Sequence, residues 1–175
     1  MLRGWFNVKV ELLSGRGMDL VRRPGRVMLV GPKHTLQDLA EAIDLAFARW
    51  DISHLHEFEF PDGRRYGTPD EDFDEGDQPA DLAKVRAGSV LSKGVAFSYV
   101  FDLGDDWRHG CLVQATGVDP EKQAGIVPEK PIPIWGWGWI PDQYGRRWED
   151  DDGEEDEGAC PVCGRGAGGK ESDEI

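Results

Sequence analysis

Residues 95–118 read VAFSYVFDLGDDWRHGCLVQATGV, and this stretch decides the fold because it holds two apolar strands around one turn. Val95–Phe101 and Arg108–Val118 are rich in β-branched and aromatic residues, which favour strands. The Gly-Asp-Asp sequence at 104–106 is typical of a tight turn. The pattern therefore predicts a β-hairpin.

More strands are predicted on the N-terminal side of this hairpin. Leu55–Phe60 alternates strictly, and a Pro-Asp-Gly turn at 61–63 leads into 64–67, which predicts a second hairpin. Trp5–Leu12 also alternates, with its apolar side chains on one face, and Arg26–Val30 forms another short strand.

One helix is predicted between these strands, over Thr35–Trp50. Thr35 is a favourable N-cap, and Asp38 completes a pattern that resembles a capping box. Apolar residues then recur at spacings of three and four and form one stripe, which must be covered by the sheet. The stripe contains Leu36, Leu39, Ile43, Ala46, Phe47 and Trp50.

Together these elements predict an α+β fold, with a mostly antiparallel sheet packed against one dominant helix. A further short helix is predicted at 80–86. The domain is expected over residues 3–148, with its core at 8–118 and a Trp-rich strap at 131–148. Residues 149–175 are expected to form an acidic, poorly ordered tail.

Composition excludes several classes of function. The 175 residues include 34 Asp and Glu against 20 Lys and Arg, a net charge of −14. Such an acidic protein is an unfavourable nucleic-acid binder through bulk charge. No stretch approaches a membrane span of about 18 apolar residues, and no signal peptide is recognisable. Three cysteines are too few for a disulfide scaffold, so we expect a cytoplasmic protein.

Three motifs carry a resemblance to a known family. They are HLHEF at 54–58, Tyr66-Gly67, and FSYVFDLGDDWRH at 97–109. In their order and spacing they resemble the plasmid pRiA4b ORF-3-like family, over about Val8–Val118. The resemblance implies an α+β fold with helices against an antiparallel sheet. Members occur on plasmids, beside mobile elements and in bacterial chromosomes, and no catalytic residues are established that could be transferred.

The end of the chain departs from the family pattern. Members usually close with a Cys-rich segment that ends in Gly-Gly. Here a Trp-rich stretch, an acidic run and the sequence CPVCG at 160–164 stand in that place. A role tied to the usual closing segment therefore does not transfer to this chain.

Polar residues of the three motifs mark a candidate binding groove between the helix, the HLHEF strand and the GDDWRH turn. His54 and His56 lie two residues apart, so both point to one face of an extended segment. Two interpretations stay open: a ligand or metal site shared with His109, or hydrogen bonds that fix the packing of two hairpins. The candidate binding residues are His54, His56, Glu57, Asp105, Asp106, Trp107 and His109.

These residues suggest a binding domain first and an enzyme second. No Ser or Cys lies in a recognisable nucleophile or triad context. The leading hypothesis is a non-enzymatic interaction domain for a protein or peptide partner. The alternatives are a metal-dependent enzyme that uses His54, His56, Asp105 and His109, and an accessory protein of mobile elements or nucleic acid.

Cys160 and Cys163 form a CxxC motif that supplies half of a tetrahedral zinc site. His109 and Cys111 could supply the other two ligands, as could a second copy of the tail in a homodimer. A free dithiol and a redox pair are the alternatives.

Four of the seven tryptophans fall within residues 135–148, three of them alternating with glycine at 135–139. Exposed, these indoles would form a platform for a peptide or for stacked bases. Buried, they would anchor a strap across the sheet, which we favour because monomers seldom expose so much apolar surface. Arginines at 16, 22, 23 and 26 could meet phosphate, but we expect them to neutralise the domain's own acidic runs.

Overall fold

The structure is a computed structural model that describes residues 4–69 and 78–146. It contains nine strands and three short helices within those residues. In chain order they are β1 (Trp5–Gly15), β2 (Met18–Asp19), β3 (Gly25–Val30), α1 (Leu36–Ala46), β4 (His56–Glu59), β5 (Arg65–Gly67), β6 (Ala80–Asp81), α2 (Ala87–Val90), β7 (Ala96–Phe101), β8 (Trp107–Val118), α3 (Pro120–Ala124) and β9 (Ile132–Trp137).

All nine strands belong to one sheet, in the order β6-β5-β4-β7-β8-β1-β3-β9, with β2 paired to β1. Both predicted hairpins are confirmed, since β4 pairs antiparallel with β5 and β7 pairs antiparallel with β8. The pairing of β5 with β6 is parallel, which makes the sheet mixed. At its centre, Tyr99 of β7 lies opposite His109 of β8.

The predicted fold class, a mostly antiparallel sheet packed against one dominant helix, is wrong. The protein is a mixed nine-stranded sheet with three short helices in its described part. Helix α1 has 11 residues and is therefore about 16 Å long, whereas the 12-residue β8 extends for about 40 Å. A helix of that length covers only part of such a sheet.

The core lies on one face of this sheet. Alternate residues of β1 are buried, namely Phe6, Val8, Val10 and Leu12, as the alternation predicts. The same core includes Trp107 and Val113 from β8, Phe58 from β4, and the apolar face of α1.

Helix α1 ends four residues before its predicted end. Phe47 is the C-cap, and Ala48 adopts a positive φ of 54°, which is outside the helical region. Phe47 remains fully buried, but Trp50 is 49% exposed. The apolar spacing therefore continues beyond the helix, and this is why the sequence overstates its length.

The capping box at the start of α1 is confirmed, and it gives a direct test. The Thr35 hydroxyl accepts from the Asp38 backbone N–H at 3.0 Å, and the Asp38 carboxylate accepts from the Thr35 N–H at 2.8 Å. We expect Thr35→Ala to lower the free energy of unfolding by about 1 kcal/mol, because the N-terminus of the helix loses its cap. Urea unfolding followed by circular dichroism measures the loss. Thr35→Ser is the control and should stay within about 0.5 kcal/mol of the parent; equal losses in both variants would contradict the capping role.

Two other local predictions differ from the structure. Residues 80–86 contain the short strand β6 followed by a single 3-10 turn, Leu82–Lys84, in place of a helix. The Trp-rich segment contains β9, an edge strand paired to β3. Trp135 is 69% exposed and Trp139 is 58% exposed, so the buried strap is wrong for these two indoles.

The predicted acidic tail at 149–175, with Cys160 and Cys163, lies outside the described residues, as does the acidic run at 70–77. Within the described part, no helix combines the length and the apolar character that crossing a membrane would need.

Candidate functional site

Two of the three predicted histidines lie on either side of one tyrosine. His56 lies at the start of β4 and His109 near the start of β8, and their ring centroids are 6.1 Å and 5.5 Å from that of Tyr99. His109 is fully buried. The two imidazoles therefore belong to the interior face of the sheet, as the register of β4, β7 and β8 requires.

His54 is engaged in a separate polar cluster nearer the surface. Its Nε2 atom lies 2.9 Å from the Tyr144 hydroxyl, and its Nδ1 atom lies 3.3 Å from the Asp102 carboxylate. The Tyr144 hydroxyl donates to Asp51 at 2.8 Å. This hydrogen bond raises the pKa of Tyr144 to about 12 and helps to hold the pKa of Asp51 below its usual range. His54 thus ties the α1–β4 connection to residues near the end of the described chain.

The structure does not assemble the predicted metal site. No group of three or more His, Cys, Asp or Glu side chains in the described ranges could hold a metal ion. His109 is buried in the interior, whereas Asp106 is half-exposed and paired with Arg108 at 2.9 Å. Asp105 lies in the β7–β8 turn, where its carbonyl accepts from the Arg16 N–H. These residues are therefore distributed over separate environments.

Glu57, another predicted binding residue, has a partner within the sheet. Both of its carboxylate oxygens accept from Arg65 of the neighbouring strand, at 2.8 and 2.9 Å. Such a bidentate pair links β4 to β5 across their backbone ladder.

The segment 141–146 closes over the end of α1 and was not predicted as part of the site. The Gln143 amide oxygen accepts from the backbone N–H groups of Trp50 and Asp51, and its amide nitrogen donates to the Asp51 carbonyl. Arg146 stacks on the Trp50 ring, 3.9 Å from its centroid. A lone Gln in a Pro- and Gly-rich stretch gives no sequence signal for such a role.

A second cluster, which we call the Arg49 cluster, lies deeper and consists of Asp44, Arg49, Tyr99, Trp107 and His109. All five residues are at most 5% exposed. The guanidinium of Arg49 lies on the Trp107 ring, 4.0 Å from its centroid. The Tyr99 hydroxyl donates to the Asp44 carboxylate at 2.8 Å. The cluster joins the end of α1 to the two central strands.

Burial changes the ionisation of this cluster. Desolvation raises the pKa of Asp44 to about 7 and lowers the pKa of Arg49 to about 10. It also lowers the pKa of His109 to about 3, and the nearby charge of Arg49 acts in the same direction. At neutral pH the cluster therefore contains a cationic Arg49 and a neutral His109.

Several polar atoms of the Arg49 cluster have no hydrogen-bond partner among the described residues. They are the three guanidinium nitrogens of Arg49, the indole nitrogen of Trp107 and the Nε2 atom of His109. Buried polar groups are nearly always paired, so a concentration of unpaired ones is a feature of functional sites.

Strained backbone surrounds the same region. Ala48, Asp102 and Asp106 adopt positive φ angles of 54°, 58° and 51°, although none is a glycine. Ala48 directly precedes Arg49, and Asp106 directly precedes Trp107. Residues held in this region of φ/ψ space cluster at functional sites.

The sequence signals only part of this arrangement. Trp107 and His109 are predicted site residues, but Asp44 and Arg49 are not, because Asp44 reads as one of the polar residues of an amphipathic helix. The positive φ at Ala48 turns Arg49 inward, and the residue types around Ala48 do not predict this backbone conformation.

A different surface candidate is the edge of the sheet at β9, which pairs only with β3 among the described residues. Trp135 pairs with Val27, whose neighbour Met28 points into the core, so this indole lies on the opposite face of the sheet. The Trp137 indole donates to the Arg23 carbonyl at 3.1 Å. The exposed indoles at 135 and 139 thus lie beside the loop that carries Arg22 and Arg23.

Comparison with known proteins now identifies the class. A family model described as "Plasmid pRiA4b ORF-3-like protein" matches residues 6–131, and the chain belongs to this family. The predicted resemblance is thereby confirmed.

Two similar proteins extend the comparison. The chain is 36% identical over 83 residues to the uncharacterized protein y4hQ of Sinorhizobium fredii. That match spans 46% of this chain and 41% of the relative, less than half of its length. A crystal structure of a protein of unknown function, MM3350 from Methanosarcina mazei Go1, is similar with a TM-score of 0.59 at 22% identity. The similarity covers 78% of this chain and 71% of that one, and it shows a shared fold.

The zinc prediction stays a prediction, because Cys160 and Cys163 lie outside the described residues. Cys111, considered as a further ligand, is a free and buried thiol on β8, and burial raises its pKa.

Proposed function

We propose that this protein is a non-enzymatic, cytoplasmic interaction domain that binds an extended acidic segment of a protein partner along β9. The observation that carries the proposal is the 69% exposure of Trp135 on β9, at the edge of the sheet, together with the 58% exposure of Trp139 two residues beyond the end of that strand. Large exposed aromatic side chains are typical of binding surfaces, where they act as anchors.

The backbone of β9 favours an extended partner. Within the described residues β9 pairs with β3 alone, so its other edge presents backbone groups that a peptide strand can pair with. The prolines at 131 and 133 lie at its start, and Ile134–Trp137 remain to form a short ladder. A partner strand would therefore be short and anchored by side chains.

Local charge favours an acidic segment. Two acidic runs, 70–77 and 149–157, together hold 14 Asp and Glu residues, which equals the whole net charge of −14. The rest of the chain is electrically balanced, and Arg22 and Arg23 are exposed beside Trp137. A carboxylate-bearing peptide would meet these arginines at the edge.

Peptide binding can be measured with a labelled probe. The full chain is titrated into a fluorescein-labelled peptide of alternating glutamate and valine, and fluorescence anisotropy gives the affinity. We expect binding that weakens about 30-fold or more in a Trp135→Ala/Trp139→Ala variant, because truncated aromatic anchors cost about 2 kcal/mol or more. Both indoles are exposed, so the variant keeps its core.

Leu103→Ala is the matched control, since Leu103 is also exposed but lies in the distant β7–β8 turn. It should bind like the parent. No binding of the acidic peptide, or equal binding of a lysine-valine peptide, would overturn the proposal. So would a concentration-dependent dimer that requires the two indoles, tighter binding of single-stranded DNA, or peptide binding seen only after residues 149–157 are neutralised.

A further inference from the structure

Arg49 is a buried cation whose side-chain donors have no acceptor in the part of the chain that the structure describes. It is 4% exposed, and its Nε, Nη1 and Nη2 atoms have no hydrogen-bond partner among the described residues. A guanidinium carries five N–H donors and no acceptor. Leaving such a group unpaired in the interior is costly, so a ligand or solvent with acceptor oxygens must meet it.

The acidic neighbours of Arg49 do not use these donors. The Asp44 carboxylate accepts from Tyr99, and the Asp142 carboxylate accepts from Arg146 and from backbone N–H groups of its own loop. Both charges act on Arg49 through space, and neither forms a hydrogen bond to it in the described part of the chain.

The other unpaired atoms narrow the chemistry of the ligand. The Trp107 indole nitrogen can only donate. His109 places its Nδ1 atom 3.3 Å from the Tyr99 carbonyl, and because a carbonyl can only accept, we assign the proton of the neutral ring to Nδ1. In the neutral ring Nε2 is then an acceptor, and it needs a donor. A fitting ligand offers several acceptor oxygens and one hydroxyl.

We propose that Arg49, Trp107 and His109 form an interior binding site for a phosphate group, either inorganic phosphate or the phosphate of a small monoester. A protonated phosphate offers acceptor oxygens to the guanidinium and the indole and a P–OH to His109 Nε2. This site is independent of the β9 edge, since β8 and β9 are separated by β1 and β3.

Segment 141–146 lies near the site. Asp142 of this segment is close enough for its charge to raise the pKa of Arg49. The segment is held to residues 50–54 by side-chain hydrogen bonds and not by strand pairing. Segments with few ladder bonds open at low free-energy cost.

Calorimetric titration with inorganic phosphate tests the site. The full chain, purified without phosphate, is titrated at pH 7 with sodium phosphate and, separately, with sodium sulfate at matched ionic strength. We expect phosphate to bind and sulfate to bind at least about tenfold more weakly, because sulfate has no hydroxyl for His109. Methyl phosphate is compared with inorganic phosphate at pH 5.5, where the monoester, whose second pKa is about 6, also retains a P–OH. Binding as tight as that of phosphate indicates a monoester, and weaker binding indicates the free ion.

Three variants locate the binding. Arg49→Met should abolish it, and Trp107→Phe, which keeps a stacking ring but removes the N–H, should weaken it about tenfold. Arg108→Met is the control, since Arg108 is a partly exposed neighbour paired with Asp106, and it should bind like the parent. Absence of phosphate binding to the parent, equal affinity for sulfate, or unchanged affinity in Trp107→Phe would overturn the proposal.

Discussion

Asp44→Asn is expected to become progressively more stable than the parent protein as the pH rises from about 4 to 7. The carboxyl is 5% exposed, and desolvation raises its pKa to about 7 from a usual value of 3.8. Between these values the folded protein holds a proton that the unfolded chain has lost. Raising the pH therefore destabilises the parent through this group, by up to about 4 kcal/mol in total.

The asparagine side chain has no proton to lose and still offers an oxygen to the Tyr99 hydroxyl. The difference in free energy of unfolding, variant minus parent, should thus rise by up to about 1.4 kcal/mol per pH unit and level off above pH 7. Near pH 4 the two proteins should be similar, since Asp44 is then neutral in the folded parent.

His109→Gln is expected to show the opposite pH dependence. Burial lowers the pKa of His109 to about 3 from 6.5, so between these values the unfolded chain binds a proton that the folded protein does not. This stabilises the parent as the pH rises, by up to about 5 kcal/mol. Its removal should make the variant lose stability, relative to the parent, over the same range.

The two effects overlap and oppose each other between about pH 4 and 6.5. In each single variant, the free energy of unfolding should therefore change with pH as the remaining titrating group dictates. In the double variant both groups are gone, so its free energy of unfolding should run parallel to that of the parent over this pH range. Urea unfolding at half-unit pH steps measures all four proteins. If the Asp44→Asn curve runs parallel to the parent, Asp44 does not titrate near pH 7; if both variants shift in the same direction, the assigned ionisation of the cluster is wrong.

Local patterns in the sequence predict the strands and the two hairpins because neighbouring residues determine them. The alternation in β1 and the turn at 61–63 act over a few residues, and the structure confirms both. The same holds for the capping box of Thr35 and Asp38.

The features that the sequence does not predict depend on backbone geometry and on pairing between distant strands. The end of α1 depends on the positive φ of Ala48, and the fold class depends on how many strands join one sheet. The parallel pairing of Tyr66 with Ala80 bridges the undescribed residues 70–77 and leaves no mark in either short strand.

The residues of the candidate site also fall into those that the sequence predicts and those that it does not. Trp107 and His109 could be found because they belong to a conspicuous polar turn and the strand after it. Arg49 could not, since a basic residue after an amphipathic helix is ordinarily solvated. The predicted buried strap is wrong for Trp135 and Trp139, because this segment lies at the edge of the sheet, where no described residue covers these two indoles.

Trp107→Ala is expected to lower the free energy of unfolding by about 3–5 kcal/mol, the range for removing a fully buried tryptophan. Trp107 is 0% exposed, and a Cβ atom added to Gly15 would lie 2.1 Å from its ring, so β1 packs directly on the indole. The Arg49 guanidinium covers the ring as well. The alanine variant therefore leaves a cavity and deprives a buried cation of its one aromatic contact among the described residues.

Trp135→Ala is the matched control, because it removes the same side chain from an exposed position and should change stability by about 0.5 kcal/mol or less. Urea unfolding of both variants gives the comparison, and a loss below about 2 kcal/mol for Trp107→Ala would contradict its central place in the core.

A double-mutant cycle then separates packing from the cation–aromatic contact. If the 4.0 Å contact stabilises the guanidinium, Arg49→Met should cost about 1–2 kcal/mol less in the Trp107→Ala background than in the parent. Additive effects would show that the Trp107 ring fills space but does not stabilise the guanidinium. The bound ligand would then be what stabilises the charge of Arg49.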